Sequence, residues 1–319
     1  MSGRSEKVTF PGADGVMLAG RLDWPLGRPR AFALFAHCFT CSKDVFAASR
    51  VSQGIAARGF AVLRFDFTGL GASDGEFANT NFSSNVADLV AAAAYLGSEH
   101  EAPKLLVGHS LGGAAILKAA PEIAEAIAVV TIGAPSDPDH VKHNFDAHLD
   151  EIAADGEARV TLGGREFCIK QQFLEDIATQ SLTDAVAGMR KALLVMHSPV
   201  DDTVSVDNAS AIFLAAKHPK SFVSLDNADH LLTRRPDSIY VAKVLSAWAT
   251  RFLPELDDGL VSPPQGEVVV REAGEGTFPQ VVAAGRHRMR ADEPEKVGGT
   301  DSGPDPYSIC WRGSGRARP

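Results

Sequence analysis

The sequence predicts an α/β fold: an open, mostly parallel central sheet with helices on both faces, a small cap insertion and a short β-rich C-terminal appendage. Three observations carry this reading. Apolar strand-like runs alternate with helical stretches up to about residue 252, the alternation is interrupted over residues 135–190, and the composition turns rich in Pro, Gly and Asp just after Leu253. Alternation of this kind implies parallel strands, because each crossover helix has to pack back over a sheet face.

Residues 7–10 and 16–23, parted by the turn-prone Gly12-Ala13-Asp14-Gly15, read as an opening hairpin. Residues 31–37 are a continuous apolar run, as expected of a strand covered on both faces. A helix is expected over 42–57, then a strand over 60–67. Residues 83–96 have helical periodicity, with Ser83 or Ser84 available as N-cap. Residues 104–110 and 111–120 read as a strand and a helix joined with almost no loop. Strands are expected over 125–134, 192–198 and 221–225, and a last helix over 238–252. Within the interruption, 138–155 is helical and polar, 157–169 reads as a hairpin around Gly163-Gly164, and 170–180 is helical again. An insertion there is placed to cover the carboxyl edge of the sheet, where ligands bind in such folds. The expected organisation is therefore a main domain over 1–253, a linker over 254–266 and an appendage over 267–319 containing three short strands.

The formal charge of −9 over 319 residues leaves no excess of Lys and Arg to neutralise phosphates, which argues against a nucleic-acid partner. No run reaches the roughly 20 apolar residues a bilayer span needs, and the polar N-terminus lacks the apolar core of a signal peptide. Four cysteines in a chain this long do not make a disulfide framework. A cytoplasmic protein without membrane contact is the expectation.

Gly108-His109-Ser110-Leu111-Gly112 lies where the chain turns sharply from strand to helix. Such a turn projects the serine hydroxyl at the strand end, beside a helix N-terminus that favours negative charge. A serine hydroxyl is a weak nucleophile; it needs a base, and the base an orienting carboxylate. Both follow Ser110 in the chain, each just after a strand run: Asp201 or Asp202 after 192–198, and His230 after 221–225. The backbone N–H of Leu111 is one expected donor to the oxyanion of a tetrahedral intermediate, and Phe39, after the first parallel strand, the other. His37, His109 and His197 read as structural, whereas His140, His143 and His148 read as solvated on the cap. The i, i+3 pair His140 and His143 lacks a third ligand, so no metal is expected. Cys38-x-x-Cys41 reads as a pair of small buried thiols rather than a redox pair.

With these residues in place the chain resembles the α/β-hydrolase superfamily over residues 1 to about 252. The resemblance rests on HCFTCSKD, RFDFTGLGASDG, GHSLGG, HSPVDDTV and ADHLL. It implies the α/β-hydrolase fold and a serine hydrolase without cofactor, acting on a small-molecule ester; the alternatives are a peptidase or amidase with the same triad, or a peroxide-stress protein with a catalytically silent hydrolase domain. In that superfamily the acid commonly stands four residues after the histidine ending its strand; His197 here implies Asp201. The oxyanion loop is usually His-Gly-Phe, and this chain departs from it with His37-Cys38-Phe39. The cap motif TLGGREFCIKQQFLEDI is similar to the small lid of cinnamoyl and feruloyl esterases. Residues 265–307 resemble the opening strands of the osmotically inducible protein C (OsmC) and organic hydroperoxide reductase family, stopping before either of that family's cysteine positions. Its peroxidase chemistry therefore does not carry over to Cys310. The appendage is expected to be a truncated fragment, poorly ordered at its end, and a shifted reading frame from about Ile309 is one account of that ending.

Overall fold

The computed structural model describes residues 4–308 apart from 26–27, 163, 254–262, 265, 274–276, 286 and 306. Most of the linker, together with Cys310 and the tail beyond it, thus lies outside the described residues. In chain order the first strands and helices are β1 (Ser5–Pro11), β2 (Met17–Asp23), β3 (Ala31–Ala36), α1 (Phe46–Ala56), β4 (Phe60–Phe65), α2 (Phe82–Glu99), β5 (Leu105–His109), α3 (Leu111–Ala119) and β6 (Ala128–Ile132). The cap follows with two 3₁₀ turns over Pro138–Asn144 and Asp146–His148, α4 (Leu149–Asp155), the hairpin β7 (Glu157–Leu162) and β8 (Arg165–Lys170), α5 (Gln171–Ala178) and α6 (Leu182–Gly188). The main domain then closes with β9 (Ala192–His197), α7 (Asp207–Ala215), β10 (Lys220–Ser224) and α8 (Arg235–Thr250).

Eight strands form the central sheet in the order β1-β2-β4-β3-β5-β6-β9-β10. β2 runs antiparallel to both β1 and β4, and every other pairing is parallel. β3 to β6 and β9 are buried along their whole length, because helices cover both faces. The pleat divides them between two cores. Phe32 and Leu34 pack with α2 and α3, while Ala33 and Phe35 pack with α1 and α8. The edge strand β10 is only half covered, and Phe222 on it is exposed.

Local sequence sets several boundaries differently from the expectation. α1 starts at Phe46 rather than near residue 42, since the preceding residues form a loop across the carboxyl end of β3. α2 is capped by Asn81, which accepts from Ser84 N at 2.8 Å while Ser84 Oγ bonds back to Asn81 N at 2.9 Å. That capping box displaces the expected Ser83 or Ser84 cap. The 138–155 stretch is mostly 3₁₀ turn, and only its last part is α-helix. Beyond the main domain, β11 (Val268–Glu272), β12 (Gln280–Ala284) and β13 (His287–Ala291) form a separate antiparallel sheet. β11 is exposed along its whole length.

Candidate active site

Ser110 sits between β5 and α3 at φ 54°, ψ −129°, a conformation that costs about 1–3 kcal/mol and persists only where the surroundings enforce it. The enforcement is visible in the neighbours. Ser110 N donates to Ile132 O on β6 at 2.9 Å. A Cβ on Gly112 would lie 2.2 Å from His37 O, and one on Gly108 would lie 2.4 Å from Gly112 O. The start of α3 is thus jammed against the ends of β3 and β5, and the hydroxyl is pushed out over the sheet edge.

Three side chains meet there. Ser110 Oγ lies 2.9 Å from His230 Nε2, and His230 Nδ1 lies 2.8 Å from Asp201 Oδ2. The other carboxylate oxygen of Asp201 accepts from Thr203 N at 3.0 Å and Val204 N at 2.8 Å. Burial of Asp201 disfavours its charge, but the His230 contact and those two backbone donors outweigh it and hold the carboxyl below its ordinary value. Asp202 is exposed and, among the described residues, accepts only from Thr203 Oγ1, at 3.2 Å. Gly133, in the left-handed region at φ 55°, lies beneath the pair: a Cβ there would stand 3.3 Å from Asp201 Oδ2 and 3.4 Å from His230 Nδ1.

The three structural histidines are buried around this core. His109 Nε2 donates to His230 O at 2.7 Å, fixing the loop that carries His230; burial, then the charge of His230, pushes its pKa down to about 3. His197 Nε2 donates to Val204 O at 2.8 Å, and burial lowers its pKa. His37 is likewise kept neutral by burial. Of the cap histidines, His143 and His148 are solvated as expected, with side chains 70% and 39% exposed, whereas His140 is tied to the loop after β9. His140 Nε2 donates to Thr203 O at 2.8 Å, and both His140 and His143 line the cleft of about 40 Å³ that Ser110 shares with Phe39 and Leu111. Among the described residues no cluster of three His, Cys, Asp or Glu is placed to hold a metal.

The loop after β3 is held from three directions. Cys38 and Cys41 are joined in a disulfide with Cα atoms 5.3 Å apart, which corrects the expectation of free thiols. A turn, with Cys41 N donating to Cys38 O at 3.2 Å, folds the spacing back within disulfide reach. Thr40, inside the turn, adopts φ 53°, and its carbonyl accepts from Arg165 on the cap hairpin. Below the loop, fully buried Asp66 accepts from Lys43 N and Lys43 Nζ, each at 2.6 Å, and from Ala72 N at 2.9 Å. Buried Arg64 bridges Asp23 and Asp44, each at 2.8 Å. The Phe39 ring packs on Phe77 and Phe173 of the cap side, and neither the Phe39 nor the Leu111 N–H is engaged by another described group. Sequence reasoning gave no role to Gly133, Arg165, Lys43 or Asp66, although the last three stand within the motifs TLGGREFCI, HCFTCSKD and RFDFTGLGASDG and the glycine follows an apolar strand run.

The profile of the alpha/beta hydrolase family matches residues 33–297. A crystal structure of the esterase domain of a Rhodothermus marinus protein is 50% identical, with a TM-score of 0.65, covering 79% of this chain and 100% of that one. Est1E from Butyrivibrio proteoclasticus, with ferulic acid bound, is 21% identical with a TM-score of 0.62, over 77% of this chain and 99% of that one. Pyrococcus furiosus esterase Pf2001 is 18% identical with a TM-score of 0.60, over 79% and 94% respectively. These last two speak to the fold alone. No curated protein matches the chain. Among the described residues no helix is long and apolar enough to cross a membrane. An eight-stranded sheet of this order, a strained serine between its central strand and the next helix, and a family profile spanning most of the chain agree: the chain belongs to the alpha/beta hydrolase family.

Proposed function

We propose that the chain hydrolyses carboxylic esters of short acyl or aryl type through an acyl-enzyme, with Ser110 as nucleophile, His230 as general base and Asp201 as the orienting acid. The observation that carries this is the unbroken relay from Ser110 Oγ through His230 to Asp201, at 2.9 and 2.8 Å. In this reading His230 takes the hydroxyl proton as Ser110 attacks the carbonyl, then delivers it to the leaving alcohol; water repeats the sequence to release the acid. Asp201, held ionised, stabilises the imidazolium and fixes its tautomer. The N–H groups of Phe39 and Leu111 receive the oxyanion, each worth about 3–4 kcal/mol. The Rhodothermus marinus esterase domain supports ester over amide chemistry, and the narrow cleft under the cap supports a short acyl group. For the segment from residue 267 onward we propose an OsmC-like origin, supported by the three strands found where that resemblance puts them.

The test is intact-mass labelling with a fluorophosphonate. One adduct is expected on the wild type and none on Ser110→Ala; a folded wild type that takes no adduct would sink the reading.

A further inference from the structure

The Cys38–Cys41 disulfide spans Phe39, whose N–H is the second expected oxyanion donor. It is poorly suited to be a staple. A chain with two extensive cores does not need one, and a bond that closes so few residues adds little stability. What it does constrain is Thr40, held at φ 53°, a region that a β-branched residue occupies only where its surroundings enforce it. The ends of the loop are pinned by other means: His37 Nδ1 donates to Cys38 O at 2.8 Å, and Lys43 is tied to buried Asp66. Opening the S–S bond therefore frees the middle of the loop and leaves the fold around it in place. Against the strain at Thr40 there then remain the Cys38–Cys41 turn and the Arg165 bond to the Thr40 carbonyl, both of which water can replace.

The bond is also within reach of a reductant. Both cysteines line a cavity of about 310 Å³ together with Val45, Phe46 and Leu231. Phe46 is 62% and Leu231 49% exposed, so this cavity opens to solvent. Cys38 is 5% exposed and Cys41 half-buried, which makes Cys41 Sγ the sulfur that an incoming thiolate meets and Cys38 the leaving group. The carboxylate in the lining, Asp44, is neutralised by Arg64 and Arg21, which lets an anionic sulfur approach. We propose that Cys38–Cys41 is a thiol–disulfide exchange site for a dithiol, and that its reduction turns down hydrolysis by releasing the Phe39 N–H from the Ser110 cleft. This rests on the serine-hydrolase reading above. One thiolate of the dithiol bonds to Cys41 Sγ as the S–S bond breaks, and Cys38 leaves as a thiolate and takes up a proton. The second thiol then attacks the dithiol's own bonded sulfur and frees Cys41. Two electrons and two protons pass to the cysteine pair, the dithiol becomes a disulfide, and the same exchange run backwards restores the loop.

The experiment treats the folded protein with dithiothreitol, counts thiols by iodoacetamide and intact mass, and follows p-nitrophenyl acetate hydrolysis before reduction, after it, and after reoxidation with oxidised dithiothreitol. The reduced wild type is expected to gain two alkylations over the oxidised one. Its kcat is expected to fall by about 10²-fold, the scale of one lost oxyanion donor, with KM little changed and kcat recovered on reoxidation. The Cys38→Ser, Cys41→Ser double variant is expected to sit at the reduced level and to ignore dithiothreitol. Asparagine tolerates the left-handed region, so Thr40→Asn is expected to lose less than about tenfold in kcat on reduction. A bond that merely braced the fold would show no such rescue. With a fluorophosphonate adduct on oxidised wild type, three results overturn the switch alone: a bond that dithiothreitol leaves closed, a confirmed reduction with kcat unmoved, or a double variant with wild-type kcat. Thr40→Asn losing as much as the wild type overturns the route through Thr40 and the proposal with it. Absence of any adduct overturns the serine reading and the switch together.

Discussion

Asp201 and Asp202 are adjacent carboxylates with different surroundings. Asp201 is tied by His230 and two backbone N–H groups, whereas Asp202 is exposed beside Thr203. Under the proposed mechanism Asp201→Asn should lower kcat by about 10⁴-fold, because an amide presents a donor to Nδ1 and favours the wrong tautomer. Asp202→Asn should change it less than threefold; steady-state ester kinetics on both variants check the pair. Ser110, Asp201 and His230 were legible because each follows an apolar run at a strand's carboxyl end. Gly133 showed only as a glycine after an apolar run, because the two side chains a Cβ there would crowd, Asp201 and His230, arrive from distant segments. The cysteines were misread for a related reason: a three-residue spacing is compatible with two thiols or with one turn closed by a bond.

At the level of elements, the loop that offers Phe39 rests on a buried charge pair whose members stand in two separate motifs, HCFTCSKD and RFDFTGLGASDG, with nothing in either to say that they meet. Lys43 comes from the loop and Asp66 from the end of β4, and they meet at 2.6 Å with the carboxylate fully buried. Lys43→Met should destabilise by about 3–5 kcal/mol, because it strands a buried carboxylate, and the urea midpoint would show it. The disulfide contributes far less to stability. It closes a loop of only a few residues, so chain entropy assigns it about 1.5 kcal/mol. Dithiothreitol should therefore shift the denaturation midpoint slightly in the wild type and not at all in the Cys38→Ser, Cys41→Ser double variant. Of the helices, α7 escaped sequence reading because only Ala209 and Ile212 on it are buried, too few to give a period. α2, with seven buried positions over eighteen residues, announced itself, and only its N-cap and its last three residues were misplaced.

For the whole molecule, acid is the informative stress. His37, His109 and His197 are buried and held neutral, their pKa values lowered by burial. The unfolded chain protonates these groups near pH 6.5 while the native state does not, so protons favour unfolding throughout the window from there down to about 3 for His109. Stability should fall as pH drops from 7 toward 5, at up to about 1.4 kcal/mol per pH unit for each histidine, and His109→Gln should flatten the curve in urea titrations. The parallel sheet and the cap insertion were legible because alternation and its interruption are properties of long stretches. The order in which distant segments dock was not, and it has its own consequence. Ser110 takes its strained shape from Ile132 and His37, and its partner His230 is anchored by a bond to His109 spanning 121 residues. Contacts of such separation form late in folding. A refolding chain should regain its helical signal well before it regains a serine that phosphonates can label, which makes reactivity at Ser110 a clock for the completion of the fold.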